Sequence, residues 1–199
     1  FGVSATLNAE TGIGTDTDLT TITSATVTAA GNMDIADAFG GLTVDLATTA
    51  NGNIALSATG GTLTLTVVTA SGLGADVTGS TIGSGSILVG AVTAVDVLTL
   101  TAATGGAIEE SGVDGGNDLV ATTANLTGPS GIGALGTIEV DFTTLNLALT
   151  TAPGANIDLS DTVLSLAVGS VTATDGNVTL ASVVGALTDA NFGAVNVTG

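Results

Sequence analysis

Apolar and polar residues alternate along this chain in short runs, and a turn-forming pair stands ahead of most of them. GNMDI at 31–35, GNIAL at 52–56, GSILV at 85–89, GAIEE at 106–110, GTIEV at 136–140, ANIDL at 155–159 and GNVTL at 176–180 share that layout. Period-two alternation over so few positions predicts a short β-strand with one buried face. The runs between them, GGLTVDL, GTLTLTV, AVDVLTLTA and VLSLAV, predict further strands.

The leading apolar residues are Met33, Ile54, Ile87, Ile108, Ile138, Ile157 and Val178, and the steps 33 to 54, 87 to 108 and 157 to 178 are each 21 residues. Two or three short strands in every ~20 residues match one rung of a parallel β-solenoid. A single rung has only a narrow apolar stripe. Rungs stacked at ~4.8 Å join their stripes into a continuous core, and about nine of them make a rod roughly 45 Å long. We therefore expect an all-β fold, a single repetitive parallel β-solenoid over residues 1–199. Tandem β-sandwich modules are the alternative, although such modules usually bury a Trp or Tyr and the chain has neither.

A longer echo overlies this period. VSATLNAETGIG at 3–14 resembles VATTANLTGPSGIG at 120–133; a Thr-Thr strand follows each, DLTTITSATV or DFTTLNLAL, and then GNMDI or ANIDL. This predicts a super-repeat of about 120 residues, its second copy starting near residue 120, and a chain that is a window onto a longer array. Asn32, Asn53, Asn156 and Asn177 precede anchor residues. There they can stack into an Asn ladder along the axis, or simply tolerate turn geometry.

Composition narrows the chemistry. With 44% hydrophobic residues but only 2% aromatics, the core must be Val, Ile, Leu and Ala, with Thr on half-exposed strand positions. Eighteen acidic residues face no Lys, Arg or His, a net charge of −18. Each carboxylate must be solvated, hydrogen-bonded or neutralised by an outside cation. No side chain can neutralise a phosphate, which argues against nucleic acid as a partner. Apolar runs too short for a membrane helix, and too few aromatics for barrel girdles, argue against membrane insertion. The lack of Cys leaves the compartment open. The lack of Lys and Arg, which denies trypsin-like proteases a target, and the start at Phe1 point to an exported product or the ordered middle of a longer protein.

Without His, Lys, Arg, Cys, Trp or Tyr there is no proton shuttle, oxyanion cation, thiol nucleophile or sugar platform, so no enzyme and no organic cofactor is expected. Adjacent Glu109 and Glu110 would point to opposite faces of a strand and mark a rung corner. Ca²⁺ needs only oxygen ligands. GTDTDL at 14–19 offers Asp16 and Asp18, and VDGGNDL at 113–119 offers Asp114, Asn117 and Asp118. The second stretch resembles part of a calcium-binding nonapeptide, though Asx turns use the same residues. Sequons at Asn125, Asn177 and Asn196 permit N-glycosylation.

The GNI-x-L anchors, GGAIEESG at 105–112, GIG at 131–133 with its flanks, and the Thr/Ala-rich strands resemble the degenerate repeats of filamentous-haemagglutinin-like adhesins and other very large secreted bacterial surface proteins. The resemblance implies a right-handed parallel β-helix, export, and a role in adhesion or surface structure. The expected function is a non-catalytic extracellular structural protein at the cell surface, self-associating end to end in a filament, sheath or matrix. A stalk segment of a giant adhesin, or a carbohydrate-binding β-helix with a glycan or cell-surface ligand, are the alternatives.

Overall fold

The alternating runs become strands that pair in parallel with their counterparts one turn later. The structure, a computed structural model, describes residues 2–112 and 116–199. Among the described residues there are 19 strands and no helix, joined in one continuous sheet. The sheet winds as a parallel β-solenoid of about nine turns, roughly 21 residues apart. Sandwich modules, which are built from antiparallel sheets, are set aside.

Two columns of apolar residues can be followed along the axis. In the first, Ile13, Met33, Ile54, Val77 and Leu98 lie in register. In the second, Leu42, Leu63, Ile87 and Ile108 do so, and isolated bridges carry the column through Ile132 to Ile157 and on to Val178. The three 21-residue steps of the sequence are thus direct register partners: Met33 with Ile54, Ile87 with Ile108, and Ile157 with Val178. The anchors do not form a single row, however. Met33 and Ile54 stand on the first column, the other two pairs on the second, and Ile138 pairs with Leu159 instead. Each coil presents the same turn-plus-strand pattern on more than one face, and the pattern does not say which face it occupies.

The longer echo is carried by the backbone as well. Gly2–Ala9 pairs with Leu19–Ala30 as Leu119–Thr127 pairs with Ile138–Thr150. Both pairings slip by one residue at the same place, passing over Thr23 between Ile22 and Ser24 and over Asn146 between Leu145 and Leu147. Ile13 then meets Met33 as Ile132 meets Ile157. Because these two meetings stand on different columns, the echo does not advance by a whole number of coils; it changes faces.

Inward-facing Ile, Leu, Val and Ala fill the interior as one cluster, with Ile22, Leu63, Leu65, Ile87, Leu98 and Leu100 fully buried. Gly79 takes an inward strand position because Leu100, Leu65 and Leu63 already fill its space; a Cβ there would come within 2.8 Å of Leu100.

At the corners, successive coils approach so closely that a side chain is excluded. A Cβ on Gly61 would lie 1.6 Å from the carbonyl oxygen of Gly40, and one on Gly52 would lie 2.1 Å from that of Gly31. The next residue along bridges the coils. Asn32 Oδ1 accepts from the Asn53 backbone N–H at 3.0 Å, Asn53 Oδ1 from that of Asp76 at 3.0 Å, and Asp76 Oδ1 from that of Val97 at 3.0 Å. Asn156 Oδ1 likewise accepts from the Asn177 N–H at 2.9 Å. Ser86 and Ser165 do the same for Ala107 and Ala186. The recurring Gly-Asn pair therefore has a physical account: glycine lets the coils meet, and the next side chain accepts an N–H that would otherwise lack a partner. The four asparagines make two separate pairs on different columns, linked from side chain to backbone rather than amide to amide.

These contacts set measurable costs. Gly61→Ala should lower stability by about 1–3 kcal/mol through overpacking, and Leu65→Ala by about 2–5 kcal/mol through the cavity it leaves. Gly14→Ala, with nothing within 4 Å of the added carbon, should be close to neutral. Asn53→Ala should cost about 1 kcal/mol. Urea denaturation of the four variants checks all of these, and a neutral Gly61→Ala would contradict the close corner approach.

Candidate functional site

Most acidic side chains lie on outward positions, but Asp37, Glu109, Asp118 and Asp161 are buried. In the strand registers of the described residues, acidic residues face neutral partners: Asp16 meets Ala36, Asp34 meets Ala55, Asp37 meets Ala58, Asp158 meets Thr179 and Glu139 meets Ser160. With no basic side chain in the chain, like charges stacked along the axis would have no internal counter-charge.

Asp118 departs from that arrangement. It immediately precedes Leu119, whose register partner is Val140, so the same register carried back one residue sets Asp118 on Glu139. Backbone bonds hold it there: its carbonyl accepts from Val92 N at 2.7 Å, and its N–H donates to the Glu139 carbonyl at 2.8 Å. The side chain makes the same corner bridge as the asparagines, with Oδ2 accepting from Glu139 N at 2.9 Å. The side chain is fully buried and Oδ1 has no hydrogen-bond partner. Glu110, at the end of the strand Ile108–Glu110, completes a group of three carboxylates whose ligand oxygens lie within 4.8 Å of one another. Burial pushes the Asp118 carboxyl up to about 7; the Glu139 N–H works against this, and the charges of Glu110 and Glu139 and a side-chain hydrogen bond with Glu139 add to it. Such a group can hold a proton near neutrality or offer oxygen ligands to a hard cation.

Of the described residues marked in the sequence as oxygen ligands, Asp118 alone enters this group. Asn117 Oδ1 is engaged by the Thr162 hydroxyl. Asp114 lies outside the described residues. Asp16 and Asp18 are exposed, and the shallow groove on which Asp16 opens is lined by Gly14, Thr15, Asp34 and Ala36, with Asp18 outside it. The neighbour of Asp16 thus comes from the next coil rather than from the same loop.

Glu109 and Glu110 diverge, as adjacent strand residues should, but Glu109 is no exposed corner. The loop after Ile132 folds over it, Leu135 N donates to its Oε2 at 3.0 Å, and it is 6% exposed. Burial raises its carboxyl pKa, and the Leu135 and Ala134 N–H groups oppose the shift. A groove of about 380 Å³ runs beside it, bounded by Leu88, Glu109, Glu110, Ser111 and Leu135, without an aromatic residue.

Asp37 and Asp161 were not singled out, yet they occupy matching places in the echo, NMDIAD and NIDLSD. Each takes the third inward position of its strand. Asp37 Oδ1 accepts from Leu19 N at 3.2 Å and from the Thr17 hydroxyl at 3.4 Å. Burial, helped by the nearby Asp141 charge, raises the Asp161 carboxyl pKa, and the Val163 N–H opposes the shift. Period-two alternation marked both positions as inward; only their polarity hid them.

Among the sequons, Asn177 is exposed. Asn125 Oδ1 accepts from Asn146 Nδ2 at 2.8 Å, and Asn196 Nδ2 is committed to Val168 O and to Asp189 Oδ1.

The Asp118 carboxyl ionises near 3.8 in an unfolded chain and near 7 in the folded one. Between those values the native state holds the extra proton, so this residue's contribution to stability falls as pH rises through the window. In metal-free buffer, Asp118→Asn should therefore unfold at a higher temperature than the parent at pH 8, with the difference vanishing near pH 4. Thermal unfolding followed by circular dichroism across that range tests the assignment, and parallel profiles would refute it.

No protein-family model matches the chain, and searches of curated proteins and of solved structures find no match.

Proposed function

We propose that this chain is a non-catalytic structural element of the cell exterior, a β-solenoid that joins other copies end to end in a surface filament, sheath or matrix. The observation that carries this reading is the open state of the coil stack at its ends. Leu187 and Val197 in the last coil are 47% and 45% exposed, while Leu166 and Val171, their register partners one coil earlier, are each 1% exposed. In the first coil Leu7 and Ile13 pack against the core but are only partly buried. The interior column thus reaches solvent at both ends, and the strand edges there offer unpaired N–H and C=O groups.

Another coil is the surface that fits such an edge, since it continues both the hydrogen bonds and the apolar column. Supplied by a second copy, it makes a head-to-tail contact, which extends rather than closes. A charge of −18 per copy opposes the approach, so added salt should favour assembly. Further coils of a longer chain would satisfy the same edge, which is the stalk reading.

Electron microscopy of the purified chain at low and physiological salt separates the two. The filament reading expects fibres one solenoid wide with a ~4.8 Å axial spacing, growing with salt, and expects Leu187→Glu combined with Val197→Glu to leave short single rods. A parent chain that stays monodisperse at every salt concentration would leave the stalk.

A further inference from the structure

We infer that Glu110, Asp118 and Glu139 form a site for one hard divalent cation, taking Ca²⁺ in preference to Mg²⁺. The site does not depend on filament assembly, because all three side chains come from one chain. Glu110 and Asp118 belong to one coil and Glu139 to the next; backbone bonds hold Asp118 against Val92 and Glu139, and Glu110 pairs with Val89.

Two independent observations point to a ligand. The first is the stacking of acid on acid at Asp118 and Glu139, where the strand registers otherwise set acids against neutral residues. Three carboxylates within 4.8 Å repel one another, and the chain has no Lys, Arg or His to compensate them. Any counter-charge must come from outside. The second is Asp118 itself, fully buried with Oδ1 lacking a hydrogen-bond partner. A buried acceptor left unpaired is unfavourable, and a bound cation supplies the missing partner for the whole group.

The chemistry of the donors selects the ion. All are carboxylate oxygens, which disfavours metals that prefer nitrogen or sulfur. Ca²⁺ bonds oxygens at about 2.3–2.6 Å and tolerates irregular geometry, so oxygens nearly 5 Å apart can still share it. Mg²⁺ requires a tighter octahedron at about 2.1 Å and gives up water reluctantly. Half-buried Glu110 and Glu139 leave the remaining positions open to water. Bound there, the ion would clamp one coil to the next at the Asp118–Glu139 corner. The Asp16 and Asp34 groove lacks both features, having exposed carboxylates and no buried unpaired oxygen, and serves as an internal control.

Isothermal titration of the metal-stripped full chain with CaCl₂ at physiological salt tests the assignment. One saturable Ca²⁺ per chain is expected, with Mg²⁺ at least about tenfold weaker. Glu110→Gln and Glu139→Gln should each weaken Ca²⁺ by about tenfold or more, and Asp118→Asn should abolish the site while the chain stays folded by circular dichroism. Asp16→Asn combined with Asp34→Asn should bind like the parent. Unchanged binding in Asp118→Asn and Glu139→Gln would overturn the site. So would diffuse, unsaturable heats that disappear with salt, the mark of counter-ions gathered by overall charge. Equal affinity for Mg²⁺ would overturn the preference.

Discussion

The molecule depends on the parallel backbone hydrogen bonds that tie each coil to the next. They hold neighbouring coils at the spacing of paired strands, so every residue lives beside the residue roughly 21 positions away more closely than beside most of its sequence neighbours. An apolar residue meets an apolar residue, and the interior becomes a column rather than a ball. A corner glycine is required because the carbonyl of the previous coil occupies the place of its Cβ, as at Gly61 over Gly40. Where the ladder turns a corner and an N–H lacks a carbonyl, a side chain from the preceding coil accepts it. Asn, Ser and Asp all perform that task.

The same stacking makes electrostatics a matter of register. A chain with 18 acidic and no basic residues cannot neutralise like charges placed one above another. The strand registers meet this constraint by setting acids against Ala, Ser and Thr. Outward carboxylates are then left to solvent. The inward carboxylates are of two kinds. Asp37 is hydrogen-bonded to Leu19 and Thr17, whereas at Asp161 burial outweighs the opposing Val163 N–H. Asp118 combines burial with a like-charged neighbour in register, which sets that corner apart.

Much of this was legible in the order of residues. Alternation named the strands, and the 21-residue steps named true register partners such as Ile87 and Ile108. The echo between the two halves reappears as an identical slip of pairing at Thr23 and Asn146. The Asn corners were legible as a possibility, since a turn-forming amide recurring at the coil period has few other uses. The Asp118 group was legible only in part. Asp118 stood out within VDGGNDL, but nothing in that stretch points to Glu110 or Glu139, which it meets.

What the sequence by itself determined is the local rule: strand, corner, coil length, an aliphatic interior, and a surface with no cation of its own. Each of these follows from interactions between residues a few positions apart or from bare composition. The tertiary structure alone decided which face of the coil each strand occupies, that Met33 and Ile157 stand on different columns, and that Glu139, from the next coil, shares a corner with Asp118 and Glu110. The physical reason is that connections of unequal length, the loop that folds over Glu109 among them, change how far along the chain the next coil's partner lies. A pattern of period two records which residues point inward. It does not count the residues spent at the corners, and those set the register.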